Sequence, residues 1–91
     1  MNFAWHPTKA EANFQKHGVT FEEATTAFDD PLFITFADPG HSVGENCFIL
    51  MGQSERERLL VVAYTERAGV SRLVTAREAI RKERRFYEED C

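Results

Sequence analysis

The stretch from residue 58 to residue 76 constrains the fold most, because it holds two apolar runs separated only by a tight turn. RLLVVAYTE at 58–66 is the most apolar run of the chain, and VSRLVTA follows at 70–76. The turn between them, which ends at Gly69, is too short for a helical crossover. The two runs are therefore predicted to pair as an antiparallel hairpin, with the first as the central strand of a sheet.

Two further strands are predicted upstream of this hairpin. LFITF at 32–36 and CFILMG at 47–52 are short runs rich in β-branched and aromatic residues. DPGHSVGEN lies between them and begins with a strong turn signal. Four strands with short connections favour an antiparallel meander and argue against a parallel sheet.

Helices are predicted on both sides of the strands. Residues 7–17 favour a helix that Gly18 ends as a left-handed cap, and Thr20 with Glu23 forms a capping box that starts a second helix. The segment KHGVTFEEA is thus interpreted as helix punctuation rather than as part of an active site. A second capping box, Thr75 with Glu78, predicts a C-terminal helix.

Together these elements predict one α+β domain over residues 1–91, with two N-terminal helices, a four-stranded antiparallel sheet and a C-terminal helix. Within the last helix, Glu83 interrupts an apolar stripe. We expect it to pair with an arginine of the sheet and orient it, rather than to act as a pKa-shifted acid.

Charge and cysteine content narrow the class of protein. The net charge is −4, which argues against a general polyanion binder. Residues 67–87 nevertheless hold seven Arg or Lys against two acids. Two cysteines, with no membrane-length apolar run and no signal peptide, predict a cytoplasmic protein without disulfides. No nucleotide cofactor, metal or membrane contact is expected.

Three arginines at five-residue intervals are the strongest candidates for chemistry. Arg67, Arg72 and Arg77 could bind a scissile phosphate and stabilise the charge of its transition state, if one face of the sheet gathers them. The alternative is a solvated edge with ion pairs to Glu66 and Glu78. The residues alone leave both alternatives open.

Other candidates are weaker. His41, with Glu45 nearby, could exchange a proton near neutral pH, although a solvated loop histidine is the simpler interpretation. Tyr64 and Tyr87 could stack on a base, but core positions are commoner for tyrosines in a small domain.

The order of these segments resembles the BrnT family, toxins of bacterial type II toxin–antitoxin pairs that look like RelE ribonucleases in fold. The matching stretches keep their order and spacing over roughly residues 3–89. They are Trp5, Lys9, Asn13, KHGV, FEEA, Phe28 to Pro31, HSVGE at 41–45, LLVVAYTER at 59–67, Arg72, TAR at 75–77, Glu83 to Arg85 and Tyr87.

The resemblance implies a function. Such proteins cleave RNA without a metal by attack of the ribose 2′-OH on the adjacent phosphate, and so slow translation. A BrnA-type antitoxin encoded beside them holds them inactive. Its DNA-binding part lets the complex repress its own operon, so the toxin reaches operator DNA only indirectly, through the antitoxin.

The resemblance also implies roles for individual residues. Arg67 and Arg77 would stabilise charge at the phosphate, and His41 and Glu45 would transfer protons. Glu83 would support the site. The further RNA-binding residues would be Arg72, Arg81, Arg84 and Arg85.

Two positions depart from the family pattern. His6 stands where an acid is usual, and Cys47 stands where a basic residue is common. The second departure and the negative net charge keep an alternative open, a catalytically silent module that only binds the antitoxin as an operon co-repressor. Direct DNA binding is disfavoured, because no recognition helix stands out and the first two helices are rich in acids.

Overall fold

A mixed five-stranded sheet with helices on both faces forms the frame of the structure, a computed structural model that describes residues 2–37 and 46–89. The elements in chain order are β1 (Asn2–Ala4), α1 (Pro7–His17), α2 (Phe21–Ala27), β2 (Ile34–Ala37), β3 (Asn46–Gln53), β4 (Leu59–Arg67), β5 (Val70–Glu78) and α3 (Arg81–Glu89). The strand order is β1-β5-β4-β3-β2. This is the predicted α+β class, with a sheet that differs from the prediction.

The predicted four-stranded, wholly antiparallel sheet is wrong, because β1 adds a fifth strand that pairs in parallel with β5. Asn2 pairs with Val70 and Ala4 with Arg72, whereas the other neighbouring strands are antiparallel. The prediction rested on the short connections between the later strands. β1 reaches β5 through α1, α2 and three strands, and a connection of that length permits parallel pairing.

The predicted break between the first two helices is confirmed. Gly18 has φ 71° and ψ 20°, in the left-handed region, and its N–H donates to the carbonyl oxygen of Phe14 at 2.8 Å. Thr20 caps α2, since its hydroxyl accepts from the N–H of Glu23 at 3.0 Å. Only this half of the predicted capping box is seen, because the Glu23 carboxylate instead accepts from Ser54 and Arg58.

The predicted start of the last helix is wrong. Thr75 and Glu78 belong to β5, where they pair with Ala63 and Leu60 of β4. α3 begins only at Arg81, and Glu83 supplies the N-terminal cap by accepting from the N–H of Ile80 at 2.9 Å. A nine-residue strand paired along a buried neighbour outweighs a local capping signal.

Alternate residues of the central strands build two apolar clusters on opposite faces. The cluster under α1 and α2 includes Val19, Phe21, Ala24, Ala27, Leu50, Leu60, Val62, Tyr64, Leu73 and Ala76. The cluster under α3 consists of Met51, Leu59, Val61 and Tyr87, with Ile34, Ile49 and Ala79 packed against it. The helices of the N-terminal half therefore cover one face, and α3 covers part of the other.

Asn13 fixes α1 to β5. Its buried side chain donates to the carbonyl oxygens of Val19 at 3.0 Å and Ala76 at 2.8 Å, and it accepts from the N–H of Ala76 at 3.0 Å. Each bond pairs a polar group that would otherwise be buried without a partner. Asn13 thereby holds the strand position directly before Arg77.

Candidate active site

The sheet brings Arg67, Arg72 and Arg77 to one face. Arg67 is on β4, whereas Arg72 pairs with Thr65 and Arg77 pairs with Val61. Positions 61, 65 and 67 of β4 are an even number of residues apart, and directly paired residues project from the same side of a sheet. Val61 packs in the cluster under α3, so this arginine face is the one that α3 partly covers.

A β-bulge at Val74 makes this arrangement possible. In a regular strand, residues five apart point to opposite faces. Here Tyr64 pairs with Leu73 and Ala63 pairs with Thr75, so Val74 is an extra residue without a partner on β4. The inserted residue restores the alternation and returns Arg77 to the side of Arg72.

Arg67 and Arg72 are diagonal neighbours across the β4–β5 hairpin, with side-chain origins roughly 7–8 Å apart. Both are exposed, and neither side chain has a hydrogen bond or ion pair with another residue that the structure describes. The predicted alternative, ion pairs to Glu66 and Glu78, is not found here. Glu78 lies instead 3.8 Å from Arg58. Two positive charges without an ion-pair partner among the described residues therefore lie side by side on the arginine face.

Arg77 lies roughly 13 Å further along the strand direction and is held by Glu83. Its NH1 and NH2 groups donate to the two carboxylate oxygens of Glu83, each at 2.8 Å, and NH1 also reaches the carbonyl oxygen of Glu78 at 3.3 Å. The Arg77 side chain is 37% exposed. Glu83 thus makes the predicted ion pair with an arginine of the sheet.

The ion pair fixes the charge state of both partners. Hydrogen bonding to Arg77 lowers the pKa of Glu83, with help from the N–H of Ile80 and against the smaller effect of burial. The same bonds raise the pKa of Arg77. Glu83 is therefore an ionised anchor with both oxygens occupied, and it is unsuited to proton transfer.

The part of the arginine face beyond α3 has a floor of short side chains. Tyr87 of α3 packs on Met51, Leu59 and Val61, near the start of β4. Further along β4 come Ala63 and Thr65, and Cys47 of β3 pairs with Thr65. Cys47, the position where a basic residue was expected, therefore shares a face with Arg72.

The three arginines of α3 form a separate group. Tyr87 points to the sheet, and a helix turns about 100° per residue. Arg81 and Arg85 consequently project away from the sheet, and Arg84 lies on the flank of the helix. All three are exposed. They do not contribute to the arginine face itself.

His41 and Glu45 lie outside the described residues. The strand ends on either side of them are described: Ala37 pairs with Phe48, and Asn46 pairs with Glu66. These ends lie at the same end of the sheet as Arg67.

The two tyrosines are core residues, as the simpler interpretation predicted. Tyr64 is buried against the rings of Phe28 and Phe48, with centroids 5.0 and 5.6 Å away, and burial raises the pKa of its hydroxyl. Tyr87 is buried and donates to Asp30. Phe36 is an exposed aromatic residue of this face, and it was not predicted as a site residue because only the strand register reveals its position.

The described residues contain neither a cluster of metal ligands nor a helix that could cross a membrane. No three His, Cys, Asp or Glu side chains among residues 2–37 and 46–89 are grouped so as to hold a metal ion. Within the same ranges, each helix is too short or too polar to cross a membrane.

Comparison with known proteins places the fold first in a class and then in a family. The structure is similar to the 1.1 Å crystal structure of the Brucella abortus ribonuclease toxin BrnT, with a TM-score of 0.70 over 89% of this chain and 99% of that one. The two sequences are 15% identical, so this likeness defines the fold class.

The family is identified from the sequence rather than from the fold. Residues 5–83 match the family described as "Ribonuclease toxin, BrnT, of type II toxin-antitoxin system". The chain therefore belongs to the BrnT family of ribonuclease toxins. A search of curated protein sequences gave no significant match.

Proposed function

We propose that the chain is an endoribonuclease that cleaves RNA without a metal and thereby inhibits translation. The observation that carries the proposal is the set of three arginines on one sheet face, two of them without a partner among the described residues. Membership of the BrnT family supports the same function. Arginine suits the task because its planar fork matches the oxygens of a phosphate.

The reaction is attack of a ribose 2′-oxygen on the adjacent phosphorus. The new P–O2′ bond forms as the P–O5′ bond breaks, leaving a 2′,3′-cyclic phosphate and a 5′-hydroxyl. A base accepts the proton of the 2′-OH, and an acid gives a proton to the departing 5′-oxygen. Negative charge builds up on the non-bridging oxygens between these events, where fixed positive charges are most effective.

Each arginine has a distinct part in this scheme. Arg67 and Arg72, neighbours whose charges have no partner among the described residues, bind the scissile phosphate. Arg77 has five N–H donors, of which two serve Glu83 and a third reaches the carbonyl of Glu78, so two remain for RNA. Because Glu83 fixes the guanidinium before RNA arrives, Arg77 can stabilise the transition state without reorganising.

The remaining roles complete the proposal. His41 and Glu45 transfer the protons, since Glu83 is ionised and engaged. Arg81, Arg84 and Arg85 bind RNA outside the cleavage site as exposed charges of α3. A BrnA-type antitoxin neutralises the toxin in the cytoplasm, and operator DNA is contacted only through that antitoxin.

The test is RNA cleavage by the purified protein in the presence of a chelator. Alanine at Arg67, Arg72 or Arg77 should each lower the cleavage rate by about a hundredfold or more, the usual cost of a lost charge-stabilising donor. Arg56→Ala is the matched control, because Arg56 is 69% exposed and lies in the turn before β4, away from the arginine face. Equal activity of all four folded variants would rule out the assignment, and dependence on an added metal would rule out the metal-free mechanism.

A catalytically silent, antitoxin-binding module is the second candidate. It is favoured by the net charge of −4 and by Cys47 on the floor of the arginine face. Induction of the chain alone in a bacterial culture separates the two functions. Growth arrest with RNA loss, relieved by Arg77→Ala, supports the ribonuclease, whereas normal growth with folded protein supports the silent module.

A further inference from the structure

We propose that Phe36 is a stacking platform for a base of single-stranded RNA, next to the arginines that bind its backbone. The proposal rests on the proposed ribonuclease function and adds to it the part of the substrate that lies beside the scissile phosphate.

Phe36 lies on the arginine face. It pairs with Ile49 of β3, and Ile49 pairs with Ala63 of β4, which pairs with Thr75 of β5. Paired residues share a face, and Ile49 packs against the cluster under α3. The ring therefore projects from the same side as Arg67 and Arg72.

The ring of Phe36 is available for a ligand. Phe36 is 44% exposed and lies on β2, the edge strand of the sheet. Among the described residues it has no aromatic partner, in contrast to the paired rings of Phe3, Phe28 and Phe48. The exposed part of the ring can therefore accept a base without displacing an aromatic neighbour among the described residues.

The floor between the ring and the arginines can accommodate an RNA strand. Neighbouring strands are about 4.8 Å apart, which puts Phe36 about 10 Å from β4 and about 14 Å from β5. Ile49 lies directly beside Phe36 in this interval, and beyond it the side chains of Cys47, Ala63 and Thr65 are short. A backbone bound at Arg72 could thus lie along the sheet with a neighbouring base directed across the floor towards Phe36.

The chemistry of this arrangement identifies its ligand. Sites for single-stranded nucleic acid combine positive charge along the backbone with aromatic rings on which bases stack. Every base has a π-face, so one ring gives affinity with little base selectivity. It does, however, require an unpaired base, because bases in a helix are stacked on one another. The site should therefore select single strands or loops.

A double-mutant cycle between the protein and the RNA tests the platform. The probe is a single-stranded oligoribonucleotide made uncleavable by 2′-deoxy substitution at the scissile nucleotide, with one abasic site moved along its length. For the unmodified protein, the abasic site should weaken binding by about 5- to 150-fold at one position beside the scissile phosphate. The Phe36→Ala variant should bind intact RNA more weakly than the unmodified protein by the same factor. The abasic site should then cause no further loss of affinity in this variant.

Two further variants separate stacking from folding and from general apolar contact. Phe36→Leu keeps much of the apolar side chain without the ring and should behave like Phe36→Ala, whereas Phe36→Trp should retain the coupling to the base. Phe14→Ala is the matched control, because Phe14 is 49% exposed on α1, the helix that covers the opposite face. Urea unfolding of each variant confirms that it is folded.

Other results would overturn the platform. If the unmodified protein cleaves RNA and Phe36→Ala binds the intact and abasic probes within twofold of it, the platform is wrong and the ribonuclease stands. If Phe36→Ala loses only the antitoxin, this edge is a protein interface. If the unmodified protein binds RNA but does not cleave it, the proposed ribonuclease function is wrong. The effect of Phe36→Ala on binding of the intact and abasic probes then still tests the stacking platform.

Discussion

At the scale of single residues, Glu23 is the most consequential buried charge. Its side chain is 4% exposed and accepts from the Ser54 hydroxyl at 2.7 Å and from the Arg58 guanidinium, Nε of which lies at 2.9 Å. Hydrogen bonds from Arg58 lower the pKa of Glu23, although burial opposes them. The ion pair joins α2 to the turn between β3 and β4.

Replacing Glu23 with glutamine should destabilise the fold by about 2–4 kcal/mol, because Arg58 and Ser54 would face a neutral group in a buried setting. Urea unfolding monitored by circular dichroism measures the change. Glu22→Gln, an exposed neighbour on the same helix, should change stability by less than about 0.5 kcal/mol. Equal effects of the two substitutions would contradict the role of the ion pair.

Stability should also decline in acid. Glu23, Glu83 and Asp30 all have pKa values below their ordinary values of 4.5, 4.5 and 3.8. For Asp30, burial alone would raise the pKa, but hydrogen bonds from Tyr87 and two backbone N–H groups outweigh it. A carboxyl group with a lowered folded pKa stabilises the fold above its unfolded pKa, and this contribution is lost as the pH falls through the folded value.

The free energy of unfolding should therefore be nearly constant from about pH 7 to 5 and fall steadily below about pH 4.5. Unfolding curves measured at half-unit intervals test this, with Glu23→Gln expected to show a shallower decline than the unmodified protein. Parallel pH profiles would show that Glu23 is not among the groups responsible.

Gly18 offers a prediction that depends on backbone geometry alone. A β-carbon at this position would meet no atom within 4 Å, but φ is 71°. Gly18→Val should therefore destabilise by roughly 1 kcal/mol or more through strain, whereas asparagine, which tolerates this region better, should cost less. Thermal unfolding of both variants distinguishes backbone strain from loss of packing. Equal unfolding midpoints for the valine and asparagine variants would contradict the strain.

At the scale of elements, Gly52 sets how closely α2 approaches the sheet. A β-carbon on Gly52 would lie 2.5 Å from the carbonyl oxygen of Ala27, which is backbone and cannot rotate away. Gly52→Ala should move α2 off β3 and cost about 1–3 kcal/mol. Urea unfolding checks this, with Gly69→Ala as a control that meets no neighbouring atom, although its φ of 80° adds some strain. A smaller loss at Gly52 than at Gly69 would contradict the close contact.

The elements also show which predictions the sequence supports. α1, Gly18 and the Thr20 cap follow from local rules, and the structure has them where the sequence predicts them. The capping signal at Thr75 and Glu78 is just as local, yet pairing with β4 extends β5 through both residues. β1 has three residues and no signal of its own, because its pairing partner lies almost seventy residues further along the chain.

The candidate site was predictable only in part for the same reason. The spacing of Arg72 and Arg77 in a regular strand predicts opposite faces, and only the extra residue Val74 brings them together. Glu83 could be predicted as an ion-pair partner because it interrupts an apolar stripe. No sequence pattern singles out Phe36, since its position on the arginine face depends on the register across four strands.

At the scale of the whole molecule, an acidic protein uses a small basic surface. The net charge is −4, and Arg77 is already neutralised by Glu83. Arg67 and Arg72 therefore carry the charge of the arginine face that has no partner among the described residues. Each phosphate of a single strand that is neutralised contributes about 0.7 to the slope of log K against log salt. The salt dependence of RNA binding therefore reports how many arginines contact RNA.

With Arg67, Arg72 and the three α3 arginines that are proposed to bind RNA, we expect a slope of about −3.5 for an uncleavable oligonucleotide. Its magnitude should fall by about 0.7 in Arg72→Gln and stay unchanged in Arg56→Gln. Fluorescence anisotropy from about 50 to 300 mM salt would measure it. A slope of about −1.4 would mean that the α3 arginines do not contact RNA, and a slope of about −6 would mean that RNA contacts charges beyond both groups.

The parallel pairing of β1 with β5 has a consequence for synthesis on the ribosome. Asn2 can pair only after Val70, 68 residues later, has been synthesised. Translation of that interval takes about 3–14 s at about 5–20 residues per second. Arg67, Arg72 and Arg77 also lie in the last third of the chain and acquire a common face only when β5 has paired with β4. For most of its time as a nascent chain, the toxin thus lacks the arginine face, the surface proposed to act on RNA, including the message that encodes it.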